Sequence, residues 1–148
     1  MPTSLLLPLV AIVSAGVALS VQAPVNAVLA QHSGGPLAAA TISFVIGTAA
    51  LVAIVGAGGT WSTAGLAGAP WWAWIGGILG AFYVSAVIWT VPKLGVVTTF
   101  TALILGQMIA ALLIDAVGAF GVPIQPVTWQ RIVAVVMVCI GVILSRTY

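Results

Sequence analysis

The sequence predicts an all-α integral membrane protein of about five transmembrane helices, and three observations carry that expectation. Charge is almost absent, apolar residues dominate, and helix breakers recur at about the spacing of one bilayer crossing. The 148 residues include one acid, Asp115, and three strong bases, Lys93, Arg131 and Arg146, so that 3% of the chain is charged and 63% hydrophobic. A soluble domain carries roughly 25% charged residues. With a mean hydropathy of +1.34, the chain lacks the material for a solvated surface, and its outward side chains must face lipid.

Each crossing of the hydrocarbon core takes about 20 apolar residues, and the breakers divide the chain accordingly. The first span runs from Leu5 to Ala30 with Pro8 and Pro24 inside it, closed by QHSGGP at Gln31 to Pro36. The second runs from Leu37 to Val55, followed by a Gly-, Ser- and Thr-rich connector from Gly56 to Pro70. The third, Trp71 to Val91, is expected to end at Pro92, with PKLG as a tight turn. Val96 to Phe120 forms the fourth, ended by GVPIQP, and Val127 to Leu144 the fifth, before the polar tail SRTY. A single transmembrane domain, 1–148, results. The N-terminal apolar run reads as a first span rather than a secretory signal: no Lys or Arg precedes it, Pro24 would follow the supposed cleavage site, and Gln22 and Asn26 continue the helix.

Several function classes find no support. Cys139 is the sole cysteine and His32 the sole histidine, which leaves neither a disulfide nor a metal-binding set, and no metal or cofactor is expected. GAGG at Gly56 has no following Lys and reads as connector, not phosphate loop. No basic patch suits a nucleic acid. No nucleophile and base occur as a pair, so an enzyme is not expected.

Orientation in a membrane follows the excess of Lys and Arg in cytoplasmic loops. With an odd number of spans, Arg131 lies toward one side, Lys93 and Arg146 toward the other. So slight a bias is compatible with one fixed orientation or with insertion both ways. In the second case an antiparallel homodimer would form a ten-helix inverted-repeat bundle, building from two chains what many transporters carry in one.

Small residues at four-residue spacing let helices approach closely where no hydrophobic effect acts between them. Ala73, Gly77, Ala81 and Ser85, flanked by Gly76 and Gly80, form one such ridge, and Ala102, Gly106 and Ala110 another. Polar residues inside spans turn away from lipid. Gln22 and Asn26 lie one turn apart on the first span; Tyr83, Ser85, Trp89 and Thr90 lie on the third; Thr98, Thr99, Thr101 and Gln107 on the fourth. The hydroxyls either line a cavity or bond their own helix carbonyls, and the amides either hold a solute or clip neighbouring helices. Gln22, Asn26, Tyr83, Trp89, Thr99 and Gln107, the large or multiply hydrogen-bonding members, are the candidate substrate-binding residues. Asp115 and Arg131 fall at a similar depth on consecutive antiparallel spans, about 6 to 8 Å from the same end. They make either a structural ion pair or a proton-coupling site.

The stretch WWAWIGGILGAFYVSAVIWTVPKLGVVTTFTALILGQMIAALLIDAVGAFGVP, together with the Gln22 to Asn26 pair, resembles the YdcZ-like family of small inner-membrane proteins in the drug/metabolite transporter superfamily. The specific parts are the Trp71 and Trp72 pair, GxLG at Gly77 to Gly80, GVVTT at Gly95 to Thr99, the GQ and LxxD spacing from Gly106 to Asp115, and GVP at Gly121 to Pro123. The resemblance implies a five-span exporter and dual-topology dimers, paired genes or fused ten-span forms. The chain departs from the four-helix small multidrug transporters, which hold a glutamate in the first helix; AIVSAGVALSVQ has no acid. A neutral or zwitterionic solute therefore suits the chemistry better than cation and proton exchange. The expected function is export of a small organic solute by alternating access; the alternative is a non-transporting assembly subunit or a half-transporter needing a partner chain.

The odd span count places the two termini of one molecule on opposite faces of the membrane. On a Cys139→Ala background, single cysteines near each end should be labelled by an impermeant thiol reagent from opposite sides. Labelling of both from one side would reject the count.

Overall fold

The computed structural model describes residues 3–59 and 61–147, leaving Met1, Pro2, the connector residue Thr60 and the final tail residue Tyr148 outside the described residues. Among the described residues every regular element is helical. Helix α1 is Thr3–Ser33 and α2 is Pro36–Gly56. The run Gly76–Val117 is two helices separated at Gly95, here α3 (76–94) and α4 (96–117), and α5 is Trp129–Leu144. Short 3₁₀ turns at Leu66–Gly68, Trp71–Ile75 and Ala119–Gly121 interrupt the connections. Leu6–Ser33, Pro36–Gly56 and Trp71–Val117 are long and apolar enough to cross a membrane, whereas Trp129–Leu144 is a shorter apolar helix. The chain divides into two compact units, Met1–Lys93 and Leu94–Tyr148.

In the first unit, α1 runs three residues past Ala30, since nothing in Gln31, His32 or Ser33 stops a helix. The stop comes at Gly34 and Gly35, at φ 88° and 129°. The Gly35 N–H donates to the Ala30 carbonyl at 3.0 Å, closing the helix end, and Pro36 opens α2 where its missing N–H costs nothing. The resulting α1–α2 hairpin packs around alanines. Ala39 and Ala40 on α2 are buried with Ile88 of α3, and Leu29, Ala30 and Val84 close around them. Ala23 and Ala27, one turn apart on α1, are buried as well. Without bulk at Cβ, backbones come close enough for dispersion contacts to bind the helices.

Three expectations require correction here. Pro92 does not end the third span: the helix continues through it, and the break falls at Gly95, with φ 76° and ψ 166°. Proline removes one donor but keeps a helical φ, whereas this backbone region is open essentially to glycine alone. Trp71 to Ile75 form a 3₁₀ turn, so the α-helix of the third span starts at Gly76. Among the ridge glycines, Gly80 meets a neighbouring helix and Gly76, Gly77 and Gly106 do not. A Cβ at Gly76, Gly77 or Gly106 would meet nothing within 4 Å, while one at Gly80 would lie 3.4 Å from the Phe44 ring of α2.

In the second unit, α4 and α5 are tied at both ends by polar groups. The Thr98 hydroxyl donates to the Ser145 carbonyl at 3.1 Å, meeting a carbonyl that the end of α5 leaves without a helical donor. At the other end the Gln125 N–H donates to the Asp115 carbonyl at 2.9 Å. Between them Gly141 faces Thr101, whose methyl would sit 3.5 Å from an added Cβ. The turn needs Gly118: its φ is 64°, and a Cβ there would stand 2.7 Å from Ile124. Every hydrophobic residue that is buried among the described residues belongs to the first unit; in the second, Thr98 and Thr99 are the buried side chains.

The need for glycine at position 95 is measurable. Gly95→Ala should destabilise the protein by about 1–3 kcal/mol, read as a lower midpoint of denaturation in mixed micelles. Gly16→Ala, in open space inside α1, should be neutral or stabilising by up to about 1 kcal/mol. Equal effects at the two positions would show that the helix break does not require glycine.

Candidate functional site

Gln22 and Asn26 project from the same face of α1, on either side of Pro24. Asn26 is 5% exposed, and its Oδ1 accepts a hydrogen bond from Ser43 Oγ of α2 at 2.6 Å. A buried amide in an apolar bundle requires such a partner, and the bond fixes which amide atom faces α2. Tyr83 of α3 joins them: Gln22, Asn26 and Tyr83 line a void of about 10 Å³ walled by Ala23, Val87 and Ile88, room for roughly one water. Beside it lies a cavity of about 230 Å³, lined by Gln22, Ser43 and Thr48 and by Phe44, Leu51 and Val84. A more open groove of about 410 Å³ lies between α2 and α3, lined among others by Ala40, Phe44, Thr48, Ala81 and Ser85.

Three of the six candidate substrate-binding residues therefore come together within the first unit. Trp89 belongs to the same unit but stands apart: it is 57% exposed, and Lys93, one turn on, holds its ammonium 3.5 Å from the ring centroid. That cation–π contact engages one ring face. Thr99 and Gln107 lie in the second unit. Thr99 is buried and donates to the Gly95 carbonyl at 2.7 Å, using its hydrogen at the helix break. Gln107 is exposed on α4. Thr90 and Thr101 likewise bond the carbonyls four residues back, at 2.6 and 2.7 Å, so the helix itself satisfies these hydroxyls.

Ser43, Phe44 and Thr48 are not among the residues that sequence reasoning selects. A signal for the two hydroxyls is present: they are polar residues within an apolar span, subject to the same inward rule that selects Gln22 and Asn26. Phe44 carries none, since one aromatic ring in an apolar helix has no distinguishing pattern.

In the second unit Arg131 Nη2 donates to Asp115 Oδ2 at 2.8 Å, the side chains 37% and 30% exposed respectively. A cavity of about 160 Å³ adjoins the pair, lined also by Met108, Leu112 and Ala134. Asp115 sits in the last turn of α4 and Arg131 in the first turn of α5, so each charge opposes the dipole of its own helix. Each therefore needs the other more than a pair placed at favourable ends would. The contact is one-armed, because Arg131 Nη1 is shielded and has no partner.

A family model described as "Putative inner membrane exporter, YdcZ" matches residues 7–144. The chain is 31% identical over 126 residues to the inner membrane protein YdcZ of Escherichia coli (strain K12), a match covering 80% of this chain and 81% of that one. No solved structure matches it.

The opposed dipoles give the ion pair a measurable signature. Asp115→Asn and Arg131→Gln should each destabilise more than the double variant does, with a coupling energy of about 1–3 kcal/mol in a double-mutant cycle. Additive effects would show that the contact contributes nothing. Loss of transport in Asp115→Asn at full stability would assign the carboxylate to coupling instead.

Proposed function

The chain belongs to the YdcZ family of inner-membrane proteins, and on that premise we propose that it exports a small organic solute by alternating access, as an antiparallel homodimer of five-span chains. The observation that carries the reading is the polar cluster of the first unit. Asn26 is buried and bonded to Ser43, with Tyr83 and the more exposed Gln22 beside it, and α1 exposes Val21, Val25 and Val28 on its other faces. Polar groups gathered at an apolar cavity are what solute sites use.

Five crossings are supported by length. The helical run Trp71–Val117 has 47 residues, which at 1.5 Å each is about 70 Å, more than twice the hydrocarbon thickness. Its break at Gly95 suits two crossings. A partner chain is supported by the second unit, whose described hydrophobic side chains all remain accessible, and by the open glycines Gly76, Gly77 and Gly106. In the assembled pair Trp89, Thr99 and Gln107 would line the pathway together with Gln22, Asn26 and Tyr83. The first unit contains no acid, and the Asp115–Arg131 pair of the second serves as a structural tie rather than a proton site.

Flux into proteoliposomes across neutral, zwitterionic, anionic and cationic solutes is the direct test. At equal amounts of folded protein, Gln22→Ala and Asn26→Ala should lower flux at least tenfold and Gln107→Ala less. Transport unaffected by all three would place the pathway elsewhere, and no flux for any solute would favour an assembly subunit. A C-terminal reporter should score on both sides of the membrane; one-sided signal would reject the antiparallel homodimer.

A further inference from the structure

The two larger cavities of the first unit share Phe44 and Thr48, which stand one turn apart on α2. Phe44 rests its ring against the bare backbone of Gly80 on α3, and so forms the common wall of a polar-ended chamber of about 230 Å³ and a groove of about 410 Å³ that Thr41 and Ser85 also line. Resting on the transport reading above, we infer that this site takes an uncharged amphipathic solute: its hydrogen-bonding head lies among Gln22, Ser43 and Thr48, its apolar body against Phe44, Leu51 and Val84, and Phe44 limits its length.

The donors and acceptors dictate the class. Ser43 gives its hydrogen to Asn26, so toward the chamber it offers lone pairs only. Gln22 presents an amide, with both a donor and an acceptor, and Thr48 a hydroxyl. Among the described residues no ionisable side chain lines the chamber or the groove, and the first unit contains no acid at all. A charged solute would lose its hydration there and gain no counter-charge, a penalty far above what a few neutral hydrogen bonds return. A wholly apolar solute would leave Gln22 and Thr48 unpartnered. The chamber is smaller than the sites of drug-sized ligands, roughly 300–1,000 Å³, which suits a body of on the order of ten non-hydrogen atoms.

The test uses the whole 148-residue chain in nanodiscs with four probes of similar size: phenylacetamide, phenethylamine, phenylacetate and isobutylbenzene. Phenylacetamide should raise the melting temperature saturably, with a midpoint at least tenfold lower than any of the other three. Gln22→Leu and Thr48→Val, near-isosteric and tolerated by the fold, should each weaken it about fivefold, the equivalent of one neutral hydrogen bond. Phe44→Ala should shift the preference toward a longer neutral amide such as 6-phenylhexanamide. Equal binding of a charged probe, equal binding of isobutylbenzene, or no binding of phenylacetamide would overturn the inference. Solute flux persisting in proteoliposomes in any of those cases would leave the transport reading standing, whereas saturable phenylacetamide binding without flux of any solute would sink transport and keep the site.

Discussion

Every polar group within the spans of this chain is governed by the scarcity of water around it. A backbone N–H or carbonyl in hydrocarbon has no solvent to fall back on, so the chain folds into elements that satisfy their own backbone. The side chains obey the same rule. Ser20, Thr41, Thr90, Thr99 and Thr101 turn their hydroxyls back onto carbonyls of their own helices, and Asn26 finds Ser43. The same pressure makes an unpartnered amide such as Gln22 conspicuous at the edge of a cavity.

The two units answer that pressure differently. The first has a small core in which alanines on α1 and α2 admit Ile88 from α3, so close backbone approach holds it together. The second relies on ties at its two ends, Thr98 to Ser145 and Arg131 to Asp115, with little apolar burial between them. Association inside lipid depends on packing and hydrogen bonds rather than on expulsion of water, and each unit leans on one of those two terms.

Much of this is legible in the sequence, because composition and breaker spacing determine a membrane helix more directly than they determine a soluble one. The opposed charges Asp115 and Arg131 can be placed side by side from residue counts alone, since depth along a helix is a linear function of position. Gln22 and Asn26 stand out as amides where lipid would not tolerate them. The features that escape depend on facts that position cannot encode. Pro92 looks like a helix end, yet the helix runs on to Gly95, because a proline terminates a helix only where the neighbouring turns cannot absorb its missing donor. The glycine ridges look like contacts, yet close packing goes to Ala39 and Ala40, and in a span apolar all round nothing in the sequence marks which face meets a neighbour.

The placement of Asp115 and Arg131 also bears on how the chain enters the membrane. Synthesis delivers the carboxylate first, and its countercharge comes only 16 residues later. Until then α4 carries a bare acid, a burden of up to about 3 kcal/mol at mid-bilayer and less near a helix end. Once α5 is made, the two charges neutralise each other and Thr98 meets Ser145. Pairing lifts that burden, so the completed hairpin sits more favourably in lipid than α4 does before its partner is made.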